Sequence, residues 1–197
     1  GLGIPVMGFT LEDAEQFYPE LKRWLKKPEV VAVGEIGIEW GTEEEVKKFK
    51  KQLEIAKDFN LPVVCHTPVP RASYKVSSIK KVLEIVRETD FPVDMIVIDH
   101  NSEESIDIVL DAGAWAALST CADKLTAKEV AMIAKRIIEK RGKDADRILV
   151  NSEFGWGHEG YFSIPRVALE MRLLGLKSKD IERILYENPV RFYNLKI

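Results

Sequence analysis

The sequence predicts an α/β fold of the (β/α)8 TIM-barrel type, in a single domain over residues 1–197. Strand and helix patterns alternate with a spacing of about 30 residues, the length of a right-handed βαβ unit. No G-x-G-x-x-G or P-loop motif follows any strand, which disfavours the doubly wound sheet that shares this alternation. Polar residues also recur where successive strands end, namely Glu35, His66, His100, Ser119 and Glu153. In a barrel these ends converge on one face, whereas in an open sheet they lie along a line.

The clearest strand is the apolar run 30–33, which leads through Gly34 to Glu35. The run is apolar on both faces and too short for a buried helix, as expected of a buried parallel strand. A carboxylate at the end of such a strand must be solvated, paired or bound to a metal, because an isolated buried charge is very costly. Further strands are predicted at 61–65, 95–98, 114–118 and 148–150.

Helices are predicted between the strands from capping residues and apolar faces. Thr10 is expected to cap the first helix, and capping boxes begin at Thr42 and Thr126. Ser102 is expected to cap another helix, which Gly113 closes. Apart from the helix after Ser102, the predicted helices span 11–27, 43–59, 79–88, 127–141, 164–174 and 178–186, with a final turn at 189–193.

The chain contains five to six βα units of the expected barrel. The five strands above are preceded only by a short apolar piece at 4–7, which suits the end of an earlier strand. A complete barrel takes about 250 residues. We therefore expect two or three strands to be missing at the N-terminal side. An open barrel leaves strand edges unpaired, so the isolated chain should be poorly stable or should associate with a copy or another chain that closes the sheet.

Composition indicates a soluble globular protein in the cytoplasm. The chain has 46% hydrophobic and 31% charged residues and a net charge of −3, which gives no overall attraction to nucleic acid. No apolar run approaches the roughly 20 residues of a membrane span, and no cleavable signal peptide is visible. Cys65 and Cys121 are far apart and make no CxxC motif, as expected of reduced thiols. Abundant Lys, Arg and Glu, with glutamine only at positions 16 and 52, indicate a thermophilic source.

Four of the strand-end residues have the chemistry of a divalent-metal site. Glu35, His66, His100 and Glu153 supply two carboxylates and two imidazoles. This donor set suits zinc, manganese or iron, whereas magnesium takes mainly oxygen ligands. Each histidine alone is more often a hydrogen-bonded structural residue. Because both follow equivalent strands, we interpret them together as ligands of one or two ions (Zn, Mn or Mg).

Several runs resemble the TatD-like metal-dependent hydrolases of the amidohydrolase superfamily, in particular their archaeal branch. These runs are VAVGEIGIE, QLEIAKDFNLPVVCHTP, VIDH and ILVNSEFGWG…ENPVRFY, and they cover nearly the whole chain from Val30 onward. The resemblance implies a (β/α)8 barrel with one or two divalent metals. It also implies hydrolytic activity, which in some members is the nuclease cleavage of phosphodiesters.

The resemblance also implies roles for individual residues. Glu35 corresponds to the metal-bridging glutamate, and His66 and His100 correspond to the two later histidine ligands. Glu153 stands where the family usually has an aspartate that binds metal and handles the proton of the attacking water, so it is the expected general base. The family's His-x-His pair on its first strand is absent, and we expect a missing N-terminal segment to carry it. The segments after the two histidines also differ from those of the familiar nucleases, which leaves the substrate open.

Other residues near the strand ends are weaker candidates. Arg71, Lys75 and His158 lie in loops where they can receive a phosphate or carboxylate, and Trp156 can wall the pocket. Asp99 is expected to point away from His100, because neighbouring strand residues face opposite ways. Lys124 is a further weak candidate. The lysines at 47, 48, 50 and 51 are interpreted as a solvated helix surface.

The function predicted from these observations is a TatD-like metal-dependent hydrolase. Its substrate is expected to be a small-molecule or nucleic-acid phosphoester, cleaved as by a deoxyribonuclease, or a related ester or amide, attacked by a metal-activated water. Two alternatives stay open at this stage. One is a metal-dependent isomerase of sugar phosphates. The other is a degenerate, non-catalytic barrel that acts as a binding or assembly partner.

Overall fold

The strands form one parallel sheet in sequence order, as a barrel requires. The computed structural model describes residues 1–121, 123–154 and 161–196. The sheet has the order β1-β2-β3-β4-β5, and every pair of neighbours is parallel. Its strands are Val33–Gly37 (β1), Val63–His66 (β2), Ile96–Ile98 (β3), Trp115–Ser119 (β4) and Ile148–Asn151 (β5). Because all strands run the same way, their carboxyl ends lie on one side of the sheet, which is the side of the predicted site.

The helices lie between these strands at the predicted places. They are Leu11–Trp24 (α1), Glu43–Asp58 (α2), Lys75–Glu88 (α3), Ile106–Asp111 (α4), Ala127–Arg141 (α5), Ser163–Leu173 (α6), Ser178–Glu182 (α7) and Asn188–Phe192 (α8). Short 3-10 turns cover Val93–Met95 and Gly142–Arg147, and a π-helical turn over Arg183–Glu187 joins α7 to α8. The predicted gap between the last helix and the final turn is therefore not observed.

Three of the predicted helix starts have the expected capping geometry. The hydroxyls of Thr10, Thr42 and Thr126 each accept a hydrogen bond from the amide three residues on, and the acidic side chain of that residue accepts one from the cap amide. The expected cap at Ser102 is wrong. Ser105 occupies the cap position of α4 without a side-chain cap bond, and the Ser102 amide donates to its hydroxyl at 2.8 Å.

The hydrophobic core lies between the sheet and the helices. Alternate strand residues such as Ile36, Cys65 and Ile98 are fully buried with Phe49 and Leu53 of α2. The residues between them point to the opposite face, as strand geometry dictates. There a smaller cluster contains Val97, Trp115, Ala117, Leu149 and Phe192. Both faces of the strands are thus apolar, which explains their continuous hydrophobic runs.

The N-terminal segment lies beside β1. The Leu2 amide donates to Ala32 O at 3.0 Å and the Gly34 amide donates to Leu2 O at 3.1 Å, which is a parallel ladder contact. Leu2 therefore pairs with β1 as a strand residue would. The apolar piece at 4–7, predicted as the end of a strand, follows Leu2 and does not form a strand.

Side chains of α2 fix this segment. Gln52 exchanges two hydrogen bonds with the backbone of Ile4, at 2.6 and 3.1 Å. Lys48 donates to Val6 O at 2.8 Å and Phe9 O at 2.6 Å. The prediction that Lys48 belongs to a solvated surface is therefore wrong, since it is only 4% exposed. Its buried ammonium satisfies carbonyl groups that helix and sheet leave unpaired.

The predicted α/β fold of parallel TIM-barrel type is confirmed, and within the described ranges the five strands form an open sheet rather than a closed barrel. In the part of the chain that the structure describes, no helix has both the length and the apolar character needed to cross a bilayer.

Candidate metal centre

Three predicted ligands meet on the carboxyl-terminal side of the sheet: Glu35 lies within β1, His66 ends β2 and His100 follows β3. The prediction that the first strand ends before Glu35 is therefore wrong, since β1 covers Val33–Gly37. Glu35 Oε1 lies 3.4 Å from His66 Nδ1 and 3.2 Å from His100 Nε2. The two imidazole rings meet edge to face, with centroids 5.0 Å apart. One donor atom from each residue lies within 4.8 Å of the others, which is the spacing at which a single cation can touch all three.

Glu39 orients His66. Nε2 of His66 lies 2.8 Å from Glu39 Oε2, and the Tyr74 hydroxyl donates to Glu39 Oε1 at 3.3 Å. A carboxylate can only accept, so Nε2 of His66 carries the proton and donates. The remaining nitrogen, Nδ1, therefore faces Glu35. A carboxylate that orients a histidine in this way is typical of metal sites. Glu39 was not among the residues predicted to form the site, although its even spacing from Glu35 is a signal that both lie on one side of an extended segment.

A second chain of hydrogen bonds orients His100. The Ser119 hydroxyl donates to Asp99 Oδ1 at 2.7 Å, and His100 Nδ1 lies 2.8 Å from the Ser119 oxygen. Since the only hydroxyl hydrogen of Ser119 is directed at Asp99, Nδ1 of His100 must be the donor to Ser119. The lone pair of His100 is thereby fixed on Nε2, which faces Glu35. All of these side chains are at most 3% exposed.

The predicted direction of Asp99 is wrong. His100 has a φ of 59°, so the extended alternation ends before it and Asp99 turns towards the same interior as His100. Asp99 Oδ1 also accepts from the His100 amide at 2.7 Å, and Oδ2 accepts from the Asn151 amide nitrogen at 2.6 Å. Asp99, His100 and Glu153 form a second group of possible ligands within 4.8 Å of one another. Asp99 is, however, committed to these hydrogen bonds, so it acts as a support for the turn.

Within the group Glu35, His66 and His100, the negative charge of the carboxylate is stabilised by the two imidazoles. Burial opposes ionisation of Glu35, but hydrogen bonds with His100 and His66 outweigh burial and hold the pKa of Glu35 well below its usual range. Burial likewise disfavours the His66 cation, yet hydrogen bonds with Glu35 and Glu39 raise the pKa of His66 to about 9. A proton on His66 and a divalent cation are thus alternative ways to neutralise the same contact.

These observations fit a divalent ion. Glu35 Oε1, His66 Nδ1 and His100 Nε2 are acceptor atoms that face one another, and such an arrangement is repulsive unless a proton or cation lies between them. His66 Nε2 and His100 Nδ1 are already engaged in hydrogen bonds on the far side of the rings, so His66 Nδ1 and His100 Nε2 are the nitrogens left to bind a metal ion. Glu35, His66 and His100 are therefore the residues that would hold the ion.

Glu153 and Lys124 lie beside this group. Glu153 follows β5, has a φ of 50° and is 15% exposed. Its Oε2 accepts from Lys124 Nζ at 2.5 Å, and its Oε1 lies 3.7 Å from His100 Nδ1. Lys124 Nζ also lies 3.2 Å from His100 Nε2. Lys124 was only a weak candidate from the sequence, because its position in a loop gave no sign that its side chain is buried, with 7% exposed.

The centre opens into a cavity of about 380 Å³. One wall is polar and the other is apolar. The polar wall includes Glu35, Glu39, His66, His100, Lys124 and Glu153. The apolar wall includes Pro5, Val6, Met7 and Val69. A ligand of small-molecule size fits this volume, with its apolar part against the N-terminal segment.

Two of the weaker substrate-binding candidates, Lys75 and Arg71, lie outside this cavity. Lys75 begins α3 and is 2% exposed. Its ammonium donates to Thr67 Oγ1, to Pro68 O at 2.6 Å and to Asp99 O at 3.3 Å, so it supports the backbone below the site and does not face the cavity. Arg71 is half exposed, donating to Lys124 O and, at 2.8 Å, to Glu129. Trp156 and His158 fall outside the described residues.

The fold and the centre together define a parallel α/β protein with a candidate metal site of the barrel-hydrolase kind. Residues 4–194 match the family described as TatD related DNase, and the chain belongs to that family. It is 30% identical over 195 residues to an uncharacterized metal-dependent hydrolase of Methanocaldococcus jannaschii, across 98% of this chain and 73% of that one. The resemblance inferred from the motifs is thereby confirmed.

Solved structures show the same architecture. A TatD-like protein from Archaeoglobus fulgidus aligns with a TM-score of 0.65 and 31% identity, across 91% of this chain and 66% of its own. A TatD homologue from Escherichia coli K12 aligns with a TM-score of 0.71 and 18% identity, across 100% of this chain and 76% of its own. The chain therefore spans about two thirds to three quarters of the length of these relatives.

Proposed function

We propose that this chain forms the metal centre of a hydrolase that cleaves phosphodiester bonds, as a deoxyribonuclease does, or related ester bonds. The observation that carries this proposal is the convergence of Glu35 Oε1, His66 Nδ1 and His100 Nε2 with both imidazoles oriented from behind. The family's description as DNases and the relative's description as a metal-dependent hydrolase support it. Zinc or manganese suits the two imidazoles better than magnesium does, and the centre takes one or two ions.

A bound divalent ion supplies Lewis acidity that makes water a better nucleophile and neutralises developing charge. The chain's own residues do the rest. Glu153 is the proposed general base: its partly exposed carboxylate lies at the cavity and takes the proton of the attacking water. The same proton is then passed to the leaving alkoxide. The apolar side chains of Val6 and Val69 line the same cavity and can pack against the substrate.

An assay with and without chelation tests this proposal. The chain, treated exhaustively with a chelator, is expected to lose activity on bis(p-nitrophenyl) phosphate and to regain it with added manganese or zinc. His66→Ala should lose metal and activity together, whereas Glu12→Gln on the exposed face of α1 should behave as the wild type. Activity that survives chelation would point to a different mechanism.

We further infer the setting in which the protein works. Free, buried Cys65 and Cys121 support a reducing cytoplasmic location. A network of ion pairs around Arg141, which reaches Asp107, Asp111 and Asp144, supports a thermophilic source. Fractionation of cells and the melting temperature of the chain test the two inferences.

Association is a separate proposal. A parallel sheet that stays open within the described residues presents strand edges that a second copy or another chain can cover. Light scattering coupled to size exclusion should therefore give a mass above 22.4 kDa. A stable monomer that keeps its fold in dilute solution would contradict this.

A further inference from the structure

We propose that the ammonium group of Lys124 competes with the divalent ion for His100 and Glu153, and that ion binding displaces it into the cavity. This inference rests on the metal centre of the proposed function. Lys124 is not one of the four predicted ligands, yet its ammonium group contacts two of them, His100 and Glu153.

The backbone of Lys124 is fixed so that its side chain reaches the centre. Its amide donates to Cys121 O at 3.1 Å, and its carbonyl accepts from the Arg71 guanidinium. From this turn the side chain extends inward until Nζ lies 2.5 Å from Glu153 Oε2 and 3.2 Å from His100 Nε2. With 7% of the side chain exposed, the charge is held within the protein and not in solvent.

The ammonium and an ion use the same lone pair. The relay from His100 through Ser119 to Asp99 places the ring proton on Nδ1, so Nε2 of His100 has one lone pair. Lys124 donates a hydrogen bond to that lone pair, and the same nitrogen of His100 faces Glu35. An ion and the lysine proton cannot both occupy it. Binding of the ion therefore requires Nζ to leave His100.

Charge makes the two cations exclude each other. Several carboxylates surround the centre, and Lys124 is the only lysine or arginine in the described ranges recorded in an ion pair with one of the four predicted ligands. A monovalent and a divalent cation repel strongly at contact distance in a partly buried site. The cavity of about 380 Å³, which Lys124 itself lines, gives the displaced side chain a place to go. There its ammonium faces the position of an anionic substrate.

The alternative is that Lys124 is a permanent counter-ion of Glu153 that stays in place when the ion binds. The two cases predict opposite effects of removing Lys124 on the affinity for the ion. A competitor weakens ion binding, so its removal tightens binding. A counter-ion that organises Glu153 supports the site, so its removal leaves binding unchanged or weaker.

The test compares zinc affinity, measured by competition with a chromophoric chelator, in wild type, Lys124→Met and Lys128→Met. Methionine is unbranched and uncharged and is only one heavy atom shorter than lysine. Lys128 is a nearby exposed lysine that controls for loss of one positive charge. Lys124→Met is expected to bind zinc tenfold more tightly or better, while Lys128→Met stays within twofold of wild type. Equal or weaker binding by Lys124→Met overturns the proposal. If wild type and both variants bind no zinc, the proposed function fails with it.

A second measurement uses the unaltered chain, in case Lys124→Met does not fold. Mild acetylation followed by mass spectrometry reports the reactivity of individual lysines with and without zinc. The reactivity of Lys124 should rise at least threefold when zinc is added, and that of Lys128 should not change. Unchanged or reduced reactivity of Lys124 in a chain that has bound zinc contradicts displacement.

Discussion

Glu39 holds His66 from behind, with its Oε2 2.8 Å from Nε2 of the imidazole. This contact decides which nitrogen of His66 faces Glu35. It also makes Glu39 a positioning residue, since its carboxylate acts on an ion only through the ring that it orients.

Replacing Glu39 by glutamine should weaken metal binding by about 10–100-fold, the usual effect of losing such a supporting carboxylate. The measurement is competition with a chromophoric chelator. Tyr74→Phe is the matched control, because it removes only the hydroxyl that reaches the other oxygen of Glu39 at 3.3 Å. Its effect should be much smaller. Wild-type affinity in Glu39→Gln would show that His66 does not depend on this contact.

Ser119→Ala should lower both stability and metal affinity. The substitution breaks the relay between His100 and Asp99 in a region with no exposure, so unfolding should become easier by about 1–3 kcal/mol. Chemical denaturation and chelator competition measure the two effects. Ser102→Ala serves as control, because its hydroxyl bonds within its own loop to Glu104 and Ser105. It should cost stability alone. Loss of stability without loss of affinity in Ser119→Ala would contradict the relay.

Lys75 should make stability depend on pH. Burial lowers the pKa of Lys75 from 10.5 to about 7, so between these values the unfolded chain binds more protons than the folded one. The stability of the wild type relative to Lys75→Met should therefore rise with pH from about 7 towards 10.5. Urea unfolding at several pH values measures this difference.

Lys80→Met, on the exposed side of α3, should show no such trend relative to the wild type. A difference between the wild type and Lys75→Met that stays constant over the same range would mean that Lys75 keeps its charge in the folded protein, held by its three oxygen acceptors.

Gln52→Leu should release the N-terminal segment. The side chain is 1% exposed and makes two hydrogen bonds to the backbone of Ile4, which leucine cannot replace. Limited proteolysis should therefore cut before α1 faster than in the wild type. Lys51→Met changes an exposed neighbour and should not alter the rate. Equal cleavage of Gln52→Leu and wild type would show that other contacts retain the segment.

Much of the fold was predictable because local chemistry and tertiary structure agree. Continuous apolar runs marked the strands, and Thr42 with Glu45 marked a helix start with its full capping geometry. The places of His66 and His100 followed from strand ends alone, whereas Glu35 lies inside β1 and not after it. Their role as ligands, and that of Glu153, remains a prediction.

The errors occurred where side chains depend on distant backbone or on unusual dihedral angles. Strand alternation put Asp99 on the wrong side, because a positive φ at His100 is not visible in the sequence. Lys48, Lys75 and Lys124 were interpreted as surface or loop residues, yet each is buried. Lys48 and Lys75 donate to backbone carbonyl oxygens of other segments. The presence of a lysine in the sequence does not show that its ammonium group has such a partner.

We propose that Glu35, His66 and His100 together hold one divalent ion. Anomalous scattering at the zinc edge, from crystals of the chain grown with zinc, locates the ion. We expect a peak about 2.0–2.2 Å from Glu35 Oε1, His66 Nδ1 and His100 Nε2, the usual zinc–ligand distances. Zinc bound only at other residues, or no peak in protein that has zinc at saturating concentration, would contradict it.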